Sequence, residues 1–311
     1  MASKGYGSVK GRRMRATLLD NCNRIVYGEA SQAVSKGFVS VAWEANTLES
    51  DEINQPNAAG ERLIFEASET EVTGYTMTAV FGEVDPELFT LITGQRVYLD
   101  ENGDAIGFTI NTKIKLSDRN WGLEVWAGSP GGDACLDPNA QGQFGYFLAP
   151  ALSGGYVDGY TVENGAINFT ITGAITQDGN QWGRGPYNVM MVGGVPAPLL
   201  TPLDPYDHKL LIWVTVAPPE AFYGLRPVMD PAATAISAVV AAEGGSPTEA
   251  DFTFTGGSAA PVYIEFGDGS WDYVTPGTAG ATHVYEANGT YTVRATSNGV
   301  VRTTTVTIPF P

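Results

Sequence analysis

Cysteine, histidine and positive charge are scarce in this chain of 311 residues. The two cysteines, Cys22 and Cys135, are too few for a disulfide framework and fit a reducing compartment, although one bridge between them stays open. His208 and His283 are the only histidines, and neither has a second ligand at zinc spacing. No nucleophile elbow of GxSxG type, no phosphate loop of GxxxxGK[ST] type, no dinucleotide fingerprint and no CxxC pair occurs. The expectation is a chain without catalytic residues, cofactor or metal. Asp100-Glu101-Asn102-Gly103-Asp104 has the acids of a calcium loop but not the rest of its twelve-residue ligand pattern. No apolar run approaches the ~20 residues that span a bilayer, so no membrane is expected. The first ten residues lack the apolar core of a signal peptide, so cytoplasmic synthesis and assembly are expected. With 17 bases against 34 acids, net charge −17, the surface disfavours clinging to nucleic acid.

What is present favours β-structure: 38 Gly, 19 Pro, many Thr, and aromatics at 11%. One helix stands out, Val84 to Gly94. Asp85 suits the N-cap and Pro86 the first helical position, while Glu87 meets the positive end of the dipole. Leu88, Leu91 and Ile92, with Phe89 beside them, make one apolar face, and Gly94 can take the left-handed stop. So short a helix must pack on a sheet. Strand patterns surround it: 37–43, 63–67, 75–81 with Tyr75, Met77, Ala79 and Phe81 on one side, 96–99, 105–114, 121–127, 144–148, 156–162, 167–175, 188–192 and 210–216. Asn102-Gly103 signals a hairpin.

The remaining segments divide the chain. Residues 1–15 hold Lys4, Lys10, Arg12, Arg13 and Arg15 before any acid, and read either as a solvated tail or as an arm that orders against an acidic neighbouring copy. Leu48 to Ala59, with Glu49, Asp51, Glu52 and Asn54, reads as a polar loop of about a dozen residues, long enough for partner contact. Residues 128–143 read as a second long loop. The expected organisation is a flexible basic arm 1–15, a main β domain 16–216, a Pro-rich linker 217–227 and a second β domain 228–311.

Two resemblances follow from particular residues. Ile264-Glu265-Phe266-Gly267-Asp268-Gly269-Ser270, then Thr282-His283-Val284-Tyr285, then Gly289-Thr290-Tyr291-Thr292-Val293 resemble the PKD family of immunoglobulin-like sandwiches over nearly all of 228–311. The Trp usual in that family shortly before FGDG is absent here. Phe266, Gly267, Asp268, Gly269, His283, Tyr285, Gly289 and Tyr291 are then structural residues, and the module implies contacts or spacing rather than chemistry. Gly37-Phe38-Val39-Ser40-Val41, Asn57-Ala58-Ala59-Gly60-Glu61 and the helix Val84 to Gly94 are similar to the major tail protein of long-tailed phages of actinobacteria, over most of 14–216. That resemblance implies a mainly β protein, a tail-tube-type sandwich or barrel with one packed short helix (Leu88, Phe89, Leu91, Ile92). Six copies would close a ring and rings would stack into a tube through which phage DNA passes without specific binding. The implied partners are further copies, the tape measure, the tail terminator and the baseplate or tip proteins. The implied location is the virion tail, with the immunoglobulin-like domain outside. Lys10, Arg12, Arg13, Arg15, Glu49, Asp51, Glu52 and Asn54 become candidates for ring-to-ring contact. Rival expectations are a capsid decoration or adhesin protein, and a secreted carbohydrate-active enzyme carrying a PKD module.

Overall fold

The computed structural model describes residues 9–101, 103–128, 143–160, 162, 164–228, 236–256, 262–274, 280–297 and 300–310. The expected loop 128–143, with Cys135, lies almost wholly outside the described residues, as do residues 1–8 and Asn102. The protein is mainly β, with one α-helix among the described residues. In chain order the strands are β1 (Val9–Leu19), β2 (Gly28–Ser35), β3 (Phe38–Glu49), β4 (Ile53–Pro56), β5 (Arg62–Glu66), β6 (Thr70–Phe81), then helix α1 (Pro86–Thr93), β7 (Val97–Leu99) and β8 (Ala105–Phe108). They continue with β9 (Asn120–Gly128), β10 (Phe144–Ser153), β11 (Tyr156–Gly159), β12 (Phe169–Thr176), β13 (Met190–Val192), β14 (Val195–Ala197), β15 (Leu210–Val214) and β16 (Arg226–Val228). The last seven are β17 (Ala238–Glu243), β18 (Glu249–Thr255), β19 (Val262–Glu265), β20 (Trp271–Val274), β21 (Gly280–Val284), β22 (Gly289–Ser297) and β23 (Val300–Ile308).

The chain forms two compact units, Met1–Ile25 with Ala33–Gly224, and Val26–Gln32 with Leu225–Pro311. The chain passes between the units three times, after Ile25, after Gln32 and after Gly224, and the division differs from the expected one around residues 26–32 and 217–227. Residues 217–227 are not a free linker: the Phe222 amide donates to Val34 O at 3.1 Å and the Gly224 amide to Asp85 Oδ2 at 3.0 Å. Val26–Gln32 belong with the second unit because β16 pairs with β2, Arg226 opposite Gln32 and Val228 opposite Gly28. No local pattern announces such an exchange.

In the first unit a large antiparallel sheet runs β1-β9-β10-β12-β6-β3. β15 also pairs with β10 and β11 with β12. Helix α1 is built as its residues dictate. Asp85 Oδ1 accepts from the amides of Glu87 and Leu88 at 3.0 and 3.3 Å, and Gly94 ends the helix at φ 70°. Its eight residues span about 12 Å and bury Leu88, Phe89, Leu91 and Ile92. Phe89 lies edge-on to Phe81 of β6 at 5.1 Å and near Phe108 and Phe169, so one ring joins helix, hairpin and sheet. A second group, Trp126, Tyr146, Leu148, Trp182, Val189, Leu199 and Val214, fills the core near β15.

Two strand expectations change. Residues 9–15 are not part of a flexible arm but the first half of β1, paired with β9. The strand expected over 105–114 ends at Phe108, because Gln95 takes the next segment. Its side chain accepts from the Asn111 amide at 2.7 Å and donates to Asn111 O at 3.3 Å.

The second unit holds a three-stranded sheet, β17-β18-β21, and a four-stranded sheet, β20-β19-β22-β23. Between them lies one apolar core that includes Val239, Phe252, Ile264, Phe266, Tyr285 and Val306. This is an immunoglobulin-like sandwich.

Candidate functional site

The sheet of the first unit ends in β3, which pairs with β6 alone among the described strands. That outer edge carries a row of backbone groups able to take another strand. β3 and β6 also run on past the body of the sheet. Their register slips between Asn46 and Thr47, leaving Thr73 as a bulge in β6. Beyond it β4 and β5 complete a hairpin that turns at Asn57 to Glu61. Asn57 Oδ1 accepts from the amides of Ala59 and Glu61, and Gly60 turns at φ 81°. The expected polar loop is therefore corrected: residues 48–56 are the outgoing limb of a two-stranded arm, and 57–59 begin its turn. From Thr47 to Pro56 that limb spans about 30 Å at strand rise. Between Thr47 and Thr73 only Asn57 escapes full exposure. The arm shows Leu48, Ile53, Leu63, Ile64, Phe65 and Val72 to solvent, at 46–65%. So much apolar side chain on a projecting hairpin marks an interaction surface.

The root of the arm is clamped. The Tyr75 amide donates to Thr176 Oγ1 at 2.8 Å, Thr176 Oγ1 meets His208 Nδ1 at 2.7 Å, and His208 Nε2 meets Asp178 Oδ1 at 2.7 Å. Lys209 Nζ lies 3.4 Å from the Tyr75 ring centroid. The connectivity resembles a catalytic relay, but Thr176 is 2% exposed and its oxygen already accepts the Tyr75 amide. It holds β6 to β12 just where the arm leaves the sheet. Nothing in the residues around His208 signalled this partnership, since Thr176 and Asp178 are 30 positions away or more.

The candidate contact residues do not stay together. Glu49, Asp51, Glu52 and Asn54 all lie exposed on the arm. Lys10, Arg12 and Arg13 lie on β1, Lys10 and Arg12 exposed and Arg13 half-buried. Arg15 is the correction. It is 7% exposed, and its Nε and Nη2 donate to the two oxygens of Glu124 at 2.5 and 2.8 Å. Its guanidinium carbon lies 3.1 Å from the Tyr187 ring centroid, and Tyr146 donates to Glu124 at 2.7 Å. Burial alone would lower the Arg15 pKa, but Glu124, Tyr187 and Tyr146 together raise it and the guanidinium stays charged. Burial, then Glu124, pushes the Tyr146 phenol well above its usual range. Arg15 is an internal ion pair on β1 and β9, not a surface contact.

In the second unit the FGDG turn is held from both ends. Gly267 turns at φ 88°, and a Cβ there would lie 2.7 Å from Thr292 O. Asp268 Oδ1 accepts from the Ser270 amide at 2.9 Å and its hydroxyl at 2.5 Å. His283 Nε2 meets Asp268 Oδ2 at 2.7 Å, and the imidazole stacks on Phe266 with centroids 4.0 Å apart. Tyr285 donates to Phe266 O at 3.0 Å, and Tyr291 stacks on Tyr285. Gly289 sits beside the Tyr291 ring. Burial works against the Asp268 carboxylate, yet the bonds from Ser270 and His283 hold its pKa below the usual range. Ser270, His283 and Asp268 look like a triad in composition only, because the serine hydroxyl is spent on the carboxylate. Among the described residues no three metal-ligating side chains converge. Among them, too, no helix is long and apolar enough to cross a membrane.

Comparison with known proteins agrees with the turn chemistry. No curated protein matches the chain. Residues 234–308 match the family model of the PKD domain, so the C-terminal unit carries an immunoglobulin-like PKD module.

Proposed function

We propose that this chain is a structural subunit that assembles with copies of itself into stacked hexameric rings, the tail tube of a phage, with the PKD module displayed on the exterior. The single observation that carries the reading is the open strand β3 continuing into an exposed arm that shows apolar side chains to solvent. An edge of this kind on an isolated molecule invites pairing with another chain. A second copy satisfies it without waste, since repeating one lateral contact closes a ring. The arm, about 30 Å along its outgoing limb at strand rise, is the element that would contact a copy in an adjacent ring. The resemblance of the 37–41, 57–61 and 84–94 segments to major tail proteins supports the same assignment. A net charge of −17 suits a tube along which DNA slides without sticking.

Negative-stain electron microscopy of the purified chain tests this reading. Rings or tubes are the expected product. The PKD module favours one rival, a decoration or adhesin protein, which would remain a monomer or closed trimer under the same conditions.

A further inference from the structure

Positive charge is rare in this protein; between residues 96 and 119 four of its 17 bases, Arg96, Lys113, Lys115 and Arg119, stand with four acids, Asp100, Glu101, Asp104 and Asp118. No acid occurs from Ala105 to Ser117. The segment borders an open groove of about 550 Å³ at the C-terminal end of α1, lined by Gly94, Arg96, Thr109, Ile110, Asn111 and Ile114. Arg119 stands against the helix end, its Nε 3.4 Å from where a Cβ on Gly94 would be. Among the described residues none of the four bases has an acidic partner within 4.0 Å. Burial lowers the pKa of Arg119, with no carboxylate to offset it. The groove is also preformed. Gln95 bonds the Asn111 backbone twice, and Thr109 donates to Arg96 O at 2.9 Å. Its apolar floor includes Ile110, 59% exposed.

The arm has the complementary character. From Thr47 to Thr73 it carries seven acids against one base, Arg62, together with its row of exposed aliphatic side chains. Resting on the self-assembly reading above, we propose that the groove of one copy receives the acidic arm of a second copy. Groove and arm are different surfaces, so the contact is head-to-tail, and such a contact repeats along an axis when its rotation does not close a ring, which is what axial stacking requires. The acids approach bases that lack partners of their own, and Leu48, Ile53, Leu63 or Phe65 cover the isoleucine floor. Charge of opposite sign steers the encounter and selects the register.

The test is charge reversal on each side and on both, in the full-length chain. One variant carries Arg96→Glu, Lys113→Glu and Lys115→Glu; Arg119 is kept because it packs against α1. The other carries Glu49→Lys, Asp51→Lys and Glu52→Lys. Circular dichroism melting confirms that each is folded, and sedimentation velocity reads polymer. Each variant alone is expected to raise the concentration needed for polymer about tenfold or more, and mixing the two reversals in one chain to recover most of it. Long polymer from the groove variant at the wild-type concentration would overturn the groove while leaving self-assembly intact. A groove that captures duplex DNA while reversal leaves assembly unchanged would also overturn it. A wild-type chain that never passes the monomer would sink the self-assembly reading itself, and the groove with it.

Discussion

Arg15 carries charge into the interior, where it must be answered at once, and Asp268 carries charge into a turn built around its carboxylate. The Arg15–Glu124 pair is buried, with Glu124 at 0% exposure. Removing one partner leaves the other desolvated, so Arg15→Met is expected to cost about 3–5 kcal/mol, whereas Arg15→Met with Glu124→Leu costs much less. Urea unfolding of the three proteins measures both. Asp268 makes a pH-dependent contribution of determined sign. Its folded pKa lies below the ordinary value, so its stabilisation is complete above the unfolded carboxylate range, about pH 4, and fades as pH falls through the lower folded value. Asp268→Asn is expected to lower the melting temperature of the second unit at pH 7, with wild type and variant converging as the pH falls through the folded value. A difference that persists unchanged into acid would show that the carboxylate charge is not what holds the turn. The FGDG turn was legible because glycine spacing and an acid between two glycines fix local geometry. The Arg15 pair was not, because its partner stands 109 positions away on β9. A run of bases near a terminus looks the same whether it dangles or forms a strand.

At the scale of elements, α1 was the most readable part of the chain, and the arm the least. Asp85, Pro86 and Gly94 are local signals, and the structure uses each where the sequence places it. Asp85 does one thing more: its second oxygen accepts from Gly224 and so anchors the segment that leads out of the first unit. Asp85→Ala is therefore expected to cost about 1–2 kcal/mol, near the upper end for a cap. Residues 222–224 should then show faster amide exchange. The outgoing limb reads as a loop because Glu49, Asp51, Glu52, Asn54, Pro56 and Asn57 are polar or turn-forming residues, while the returning limb at 63–67 reads as the strand it is. The two limbs are held by cross-strand hydrogen bonds, which have no local signature, and by register, which the bulge at Thr73 resets. Replacing residues 48–71 with a two-residue Asn-Gly turn is expected to leave the melting temperature of the body nearly unchanged, since the arm buries almost nothing, and to abolish polymer. Unaltered polymer from that variant would take the arm out of assembly. The one base before β1, Lys4, is tested separately. A deletion meant to remove a tail must stop at residue 8, because residue 9 onward is strand.

For the whole molecule, the two-domain division was visible in composition, while the exchange of Val26–Gln32 was not. The pairing of β16 with β2 depends on chain ends brought together from almost 200 positions apart. It changes how dispensability of the PKD module is tested. A cut at Val216 would strip Phe222 and Gly224 from their partners Val34 and Asp85, so the cut belongs after Gly224. That truncated chain is expected to polymerise, because the open β3 edge and the arm both lie in the first unit. The most direct measurement of the central claim is sedimentation velocity with negative-stain imaging on the intact purified chain across a concentration series. Six-fold rings that lengthen into hollow tubes as concentration rises are the predicted result. A single species of monomer mass at every concentration, its β3 edge unoccupied, would contradict it.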